Sequence, residues 1–261
     1  MFENYQYGYM TPETNQTIIQ MKPGQNIAGF PIGIIYIDCV SYPMLPGNVV
    51  NGYTYPFPVR LMPVEGLKET ELFNTEPQVK DMVLKAALKL QSEGCRAVTG
   101  ACGFFGNYQK FLARSLDIPA AMSSLMQIPW ILPILKPDQK IAVLTANKAS
   151  ITPHLLRDVG ITEEMESRLV IKDLRHEKEF SAILEDRGYF DNSIVTKEVV
   201  GKAKEAVEEY HEIGAVVLEC SDMPPYAYAV QSAVQLPVFD FITLIKWMYN
   251  SVAQTPYTGF I

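Results

Sequence analysis

The sequence predicts an α/β protein of two pseudo-symmetric lobes, each a mainly parallel sheet with flanking helices, and an active-site cleft between them. Three observations predict it. Short apolar runs alternate with amphipathic stretches along most of the chain, as in parallel sheets layered with helices. The alternation restarts after a turn cluster, KPDQK, at residues 136–140. Two apolar runs, TGACGFFG at 99–106 and VVLECSDMPP at 216–225, each reach a cysteine and then break into turn chemistry, 118 positions apart.

Residues 1–28 are polar and aromatic without a period and read as a surface extension. Residues 29–135 make the first lobe. PIGIIYID (31–38) is the continuous apolar run expected of a strand buried on both faces. FPVRLMPV (57–64) is a second strand. EPQVKDMVLKAALKLQSEG (76–94) places Val79, Met82, Val83, Ala86, Leu88 and Leu90 near one helical face, and Gly94 closes it. CRAVTGA (95–101) is a third strand, GNYQKFLARSLD (106–117) a helix, IPAAM (118–122) a short strand, and a helix follows around 123–135.

Residues 136–240 make the second lobe. IAVLTA (141–146) is a buried strand, and ITPHLLRDVG (151–160) a helix opened by Pro153 and closed by Gly160. RLVIKDL (168–174) is a strand and KEVVGKAKEAVEEYHEIG (197–214) a long amphipathic helix. AVVLE (215–219) is a strand, PPYAYAVQSAVQ (224–235) a helix, and LPVFD (236–240) a strand. A last helix, TLIKWMYNSVA (243–253) within residues 241–261, is expected to return to the first lobe.

The halves align on each other. Cys102 precedes Pro119 by 17 residues and Cys220 precedes Pro237 by 17, each proline following an aliphatic residue, Ile118 or Leu236. Each cysteine also follows a helix, a glycine (Gly94, Gly214) and an apolar strand. The chain reads as a two-fold internal repeat with one cysteine at the same point of each half.

Composition narrows the function. A formal charge of −7 without a basic cluster argues against nucleic acid as a partner, because such binders replace counterions with clustered Lys and Arg. No apolar run reaches the roughly 18 residues of a membrane span. The start, MFENYQYGYMTPETNQ, lacks the charged-then-apolar pattern of a signal peptide, so a soluble cytoplasmic protein is expected. Four cysteines in 261 residues are too few for a secreted disulfide scaffold. Without a CxxC, and with His154, His176 and His211 scattered, no metal site is expected. The thiols read as reduced, with Cys39 and Cys95 as small buried hydrophobes.

Cys102 and Cys220 fall where open parallel sheets bind ligands, beyond the carboxyl ends of strands. A helix N-terminus there favours a thiolate and binds carboxylates, so depressed thiol pKa values are expected. Gly100 and Gly103 allow close backbone approach. Ser221 and Asp222 suit a cap, and Pro224 and Pro225 a first helical turn. Two sulfurs facing one small acid from opposite sides fit a two-base reaction: one thiolate removes a proton beside a carboxylate and the opposite thiol returns one. The developing charge needs N–H donors, and no cofactor is required.

At TGACGF, VLTAN and LECSDMPPY the chain resembles the cofactor-independent aspartate/glutamate racemase superfamily. That group includes aspartate, glutamate and hydantoin racemases, with maleate isomerases and arylmalonate decarboxylases as relatives. The likeness covers roughly residues 30 to 250 and implies two flavodoxin-like lobes. It implies catalytic roles for Cys102 and Cys220, and carboxylate binding by the backbone of Gly103 and Phe104, by Thr145 and Asn147, and by Ser221. Departures stand beside it. The first cysteine is followed by Gly103-Phe104 rather than Asn-Thr, and the second by Ser221-Asp222 rather than Thr-His, nearer the Thr-Glu of aspartate-type members.

The reading reached is a PLP-independent racemase or epimerase, an isomerase acting on an amino acid or related small carboxylate. An isomerase or decarboxylase of the related types, or a non-catalytic small-molecule binding protein, remains the alternative. A homo-oligomer stays open. CVSYPMLPGNVVNGYTYP (39–56) is too long and irregular for a plain connection and reads as a loop over the cleft, offering Asn48, Asn51, Tyr53 or Tyr55 to the substrate. Asn48 reads first as a turn residue and second as a substrate contact, Asp222 equally as a helix cap or a substrate contact, and Asp38 equally as a satisfied buried carboxylate or a substrate-binding wall.

Overall fold

Two four-stranded, all-parallel sheets carry the molecule. Strands β1 (Ile32–Ile37), β2 (Val59–Val64), β3 (Ala97–Gly100) and β4 (Ala120–Ala121) form the first, in the order β2-β1-β3-β4. Strands β5 (Lys140–Thr145), β6 (Leu169–Asp173), β7 (Ile213–Leu218) and β8 (Val238–Phe239) form the second, in the order β6-β5-β7-β8. This computed structural model describes residues 10, 12, 18–73 and 75–261. Residues 1–9, 11 and 13–17 of the expected extension lie outside the described residues. Residues 18–28 carry neither helix nor strand, and Lys22 Nζ donates to the Gln91 carbonyl at 2.9 Å.

The repeat is structural down to single bonds. Val98 pairs with Ala120 in the first sheet and Val216 with Val238 in the second, the same 118-residue spacing that separates the two cysteines. The Val98 N–H reaches the Pro119 carbonyl at 2.9 Å, and the Val216 N–H reaches Pro237 at 2.9 Å. Just past the strands, the Ala101 N–H donates to Ile35 and the Glu219 N–H to Leu144, both at 2.8 Å.

Helices cover the sheets as α1 (Pro77–Ser92), α2 (Gln109–Ser115), α3 (Ile128–Ile131), α4 (Pro153–Asp158), α5 (Glu163–Glu166), α6 (Ser181–Leu184), α7 (Asn192–Glu209), α8 (Ala227–Val234) and α9 (Phe241–Val252). In α1, Pro77 opens the first turn, where its missing N–H costs nothing, and Val79, Val83, Ala86, Ala87 and Leu90 are buried. Gly94 ends the segment at φ +93°, a conformation glycine takes without strain.

Three sequence readings need correction. The helix expected at 197–214 runs from Asn192 to Glu209, because Asp191 caps it by accepting the N–H groups of Ser193 and Ile194. Gly214 then lies inside β7 rather than closing a helix, so it is no counterpart of Gly94. Cys39 is exposed, not buried, with its S–H donating to Asp38 Oδ1 at 3.2 Å. Cys95 is buried, and the three histidines are exposed.

The two sheets share one core. The largest apolar cluster joins Ile35, Val98 and Phe105 of the first lobe to Val143, Leu155 and Val217 of the second. Helix α9 closes the other face of the first sheet, burying Phe241, Leu244, Ile245 and Met248 with Ile32, Ile34, Ala97 and Ala121. Among the described residues, no helix is long and apolar enough to cross a membrane.

Candidate active site

Each cysteine stands two residues past an inner strand: Cys102 beyond Gly100 of β3, Cys220 beyond Leu218 of β7. The chain then turns helical, at Gly103–Tyr108 in the first lobe and Pro224–Tyr226 in the second. Each sulfur meets the backbone N–H two positions on, that of Phe104 for Cys102 and that of Asp222 for Cys220.

Those N–H groups pull the thiol pKa values down, as the helix N-terminus argument expects, but they are outweighed. Burial pushes Cys102 well above the ordinary thiol value, and Glu69 and Glu219 push it further. Burial does the same to Cys220, followed by Asp222 and Glu219. The expected depression is therefore reversed: in this resting site both thiols hold their protons, because the surroundings are dry and acidic. Charge on Cys102 also raises Cys220, so the sulfurs share one electrostatic site.

Asp222 is the hub beside Cys220. Tyr42 Oη donates to its Oδ2 at 3.1 Å, and Asn48 Nδ2 donates to its Oδ1. The Cys220 S–H and the Ser221 hydroxyl each approach Oδ2 at 3.5 Å. These donors favour the carboxylate, yet burial still leaves the group above its usual value. Ser221 also crosses the seam, its Oγ donating to the Ala101 carbonyl at 3.0 Å.

Glu219 is the second buried carboxyl, 1 % exposed. Thr145 Oγ1 donates to its Oε2 at 2.9 Å, while Oε1 has no partner. It lies directly on Gly103, where a Cβ would sit 1.6 Å from Oε1 and 2.9 Å from the Glu219 carbonyl oxygen. Burial pushes its carboxyl up to about 7 against the pull of Thr145, and Glu69 and Asp222 add to the rise. Glu69, on the turn Glu69–Phe73, is itself raised by burial and by Asp222.

The structure thus brings together Cys102, Cys220, Gly103, Thr145, Ser221, Asp222 and Asn48. Asn48 is a turn residue, its Oδ1 accepting the Val50 N–H at 2.9 Å, and its amide holds Asp222. Other candidates are engaged elsewhere. The Phe104 ring is buried against Phe73, with centroids 5.0 Å apart, and its backbone N–H, the group expected to bind a carboxylate, meets the Cys102 sulfur. Asn147 caps the turn Lys148–Ser150 and donates to Ser150 Oγ at 2.8 Å. Asp38 is exposed, accepting from the Gly66 N–H at 3.4 Å and from Cys39. Asn51 caps the turn Gly52–Thr54, Tyr53 is 93 % exposed, and Tyr55 Oη donates to the Val49 carbonyl at 2.8 Å.

Sequence reasoning missed Tyr42, Glu69 and Glu219. Glu219 left a signal: a glutamate ending an otherwise unbroken apolar strand run must be buried, and buried carboxyls are seldom idle. A narrow crevice of about 10 Å³ opens beside the hub, lined by Tyr42, Asn48, Phe190, Asp222 and Tyr226 among others. Among the described residues, no group of three or more His, Cys, Asp or Glu side chains is arranged to hold a metal ion.

No protein-family model matches the chain. Among curated proteins, dimethylsulfoniopropionate lyase 7 of Emiliania huxleyi is 31 % identical over 238 residues, covering 87 % of this chain and 69 % of the relative. The chain belongs to this lyase family. A dimethylsulfoniopropionate lyase of Durusdinium sp. clade D is 29 % identical, covering 91 % of this chain and 80 % of its own length. Lyase 5 of Emiliania huxleyi is 31 % identical, but the chain spans only 46 % of it.

Solved structures place the lyase-family chain in the aspartate/glutamate/hydantoin racemase-like fold. A sulfate-associated glycine-to-cysteine mutant of arylmalonate decarboxylase matches with TM-score 0.57 at 17 % identity, over 87 % of this chain and 94 % of that one. Allantoin racemase from Pseudomonas fluorescens gives 0.52 at 14 % identity, over 88 % and 99 %. Lyases therefore displace isomerases as the enzymes this chain resembles in sequence, while the racemase likeness is one of fold.

Proposed function

We propose that this protein is a lyase that eliminates dimethyl sulfide from dimethylsulfoniopropionate or a closely similar β-sulfonio carboxylate, with Cys220 as the base. The relatives supply the substrate. The observation that supports it is the site's charge: the charged side chains acting most strongly on the two thiols are Glu69, Glu219 and Asp222, all acidic. Such a site suits a ligand bearing a fixed positive charge beside its reacting carbon.

The cation would also solve the problem of the resting thiols. A sulfonium beside Asp222 offsets the charge that, after burial, does most to keep Cys220 protonated, and Asp222, already accepting its S–H, takes the proton. The thiolate then removes a proton from the carbon beside the substrate carboxylate. That C–H electron pair forms the carbon–carbon double bond, and the C–S bond breaks with its pair going to sulfur. The products are neutral dimethyl sulfide, acrylate and one proton returned to solvent. The backbone N–H groups near Gly103 are the proposed holders of the carboxylate, the Thr145 hydroxyl being spent on Glu219.

A second reading, the PLP-independent racemase or epimerase, is favoured by one observation: a thiol stands at the same point of both lobes. One experiment separates the two. Incubation with dimethylsulfoniopropionate should release dimethyl sulfide and acrylate in equal amounts. No release, together with solvent deuterium entering the α-carbon of an amino acid or hydantoin from a panel, would replace the lyase with the racemase. Inertness towards every compound would leave a binding protein.

A further inference from the structure

Glu219 sits where the expected carboxylate cradle should be. Its Oε2 takes the Thr145 hydroxyl and its Oε1 lies over Gly103, the two positions to which the racemase likeness gives the substrate carboxylate. Its main chain is tied down as well, since Ser124 Oγ donates to the carbonyls of Leu218 and Glu219 at 3.0 and 3.2 Å. The pseudo-symmetric position is Ala101, so nothing in the fold demands a carboxyl here. Gly103 is the complementary change: without a side chain, it leaves the room that Oε1 occupies. Oε1 is fully buried and makes no hydrogen bond, which is costly unless a partner arrives.

We propose that Glu219 works as a neutral carboxylic acid whose free oxygen donates a hydrogen bond to the substrate carboxylate as charge builds on it during proton removal. This rests on the reading that the site removes a proton beside a carboxylate. An ionised Glu219 would repel that carboxylate; a protonated one is a donor in a dry site, the setting in which such donors act most strongly. The titratable groups around it are Cys102 and Cys220, Asp222 on the Cys220 side, and Glu69 on the turn above, which Arg175 partly offsets. These acidic neighbours oppose its ionisation. Glu219 and Asp222 thereby divide the work, one neutral at the carboxylate end and the other accepting at the thiol.

The test uses Glu219→Gln, which keeps a donor without a titration, and Glu219→Leu, which keeps only the bulk. Binding of acrylate is measured by calorimetry from pH 5.5 to 8.5, alongside turnover of dimethylsulfoniopropionate. Wild-type acrylate affinity should fall by tenfold or more across neutral pH. Glu219→Gln should bind without that fall and keep kcat within about tenfold, its kcat/KM profile losing the corresponding alkaline limb. Glu219→Leu should lose about 10²–10³-fold in kcat, the usual loss for one such donor. The inference is overturned if Glu219→Gln keeps the alkaline fall, if Glu219→Leu binds acrylate as tightly as wild type or tighter, or if wild type fails to bind it. Wild type that binds acrylate with the Glu219-dependent fall, yet releases no dimethyl sulfide, would end the lyase reading and leave this inference standing.

Discussion

The two lobes share a backbone and disagree at the three side chains around the cysteine. Before its cysteine the first lobe has Ala101 and the second Glu219; after it come Gly103 against Ser221, then Phe104 against Asp222. The contacts across the seam pair these positions crosswise, Ser221 on the Ala101 carbonyl and Gly103 on Glu219. Cys102 therefore adjoins a phenylalanine packed into the core, and Cys220 a carboxyl fed by four side-chain donors. A reaction that inverts a stereocentre asks for two comparable thiols. An elimination asks for one base, and the asymmetry falls on the side of one.

The sharpest way to break that comparison is to remove each thiol in turn. Cys220→Ala should cost about 10³–10⁴-fold in dimethyl sulfide release, the upper range for a general base. Cys102→Ala should cost only about 10–10²-fold, through lost shape and polarity. Equal, near-complete losses would restore the two-thiol mechanism.

Glu219 and Ala101 give the next contrast, in stability. A carboxyl raised from 4.5 to about 7 keeps its proton in the folded protein where the unfolded chain has lost it. The folded protein binds more protons over that window, so its stability falls as pH rises from about 4.5 to 7, by on the order of 3 kcal/mol in all. Glu219→Gln removes the titration. Its denaturation midpoint should gain on wild type between pH 5 and 7.5 and gain no more above pH 8. A difference independent of pH would show that Glu219 does not titrate with folding.

The repeat explains what was legible in the sequence. Apolar strand runs and the 17-residue cysteine-to-proline spacing depend on local patterning, so they revealed both sheets and the position of each thiol. Short α5 and α6 have no sustained period and left no trace. Tyr42 was illegible for another reason: it lies 180 residues from Asp222, inside a segment without a period, and only the folded seam joins them. The thiol pKa values are raised rather than lowered because a helix N-terminus can be read from turn residues, whereas the burial that outweighs it comes only with folding, and the carboxyls that add to it sit on two distant segments, Glu69 on one and Glu219 with Asp222 on the other.

Gly103 and Ser221 test the crossed seam itself. A Cβ at 103 meets both the side chain and the carbonyl oxygen of Glu219, so Gly103→Ala should destabilise by about 1–3 kcal/mol, as overpacking does. Ser221→Ala loses a single hydrogen bond and should cost about 1 kcal/mol. In a Glu219→Ala background the cost of Gly103→Ala should shrink without vanishing, because the carbonyl stays. Equal costs in both backgrounds would mean that the carboxyl is not what fills the space.

The smallest expected effect belongs to Tyr42, and it probes Cys220 before Cys102. Tyr42→Phe removes one donor from Asp222 and leaves Asn48, Ser221 and the thiol in place. Tyr42 itself is raised far above its usual range by burial and by Asp222, so its hydroxyl is protonated at every working pH. Losing a donor that favours the carboxylate moves the Asp222 pKa up. If Asp222 must be ionised to take the thiol proton, the acid limb of kcat/KM should shift to higher pH by about one unit, what one charge-assisted hydrogen bond supplies. Activity should then fall most below the limb and little above it. Phe104 stands where Asp222 would be in the first lobe and accepts no such bond, and Asp222 acts on Cys102 more weakly than on Cys220, so the pH dependence of Cys102 alkylation should move less than that of Cys220. A matched shift at both sulfurs would show that the two thiols titrate as a pair, and that the asymmetry of their neighbours does not reach their chemistry.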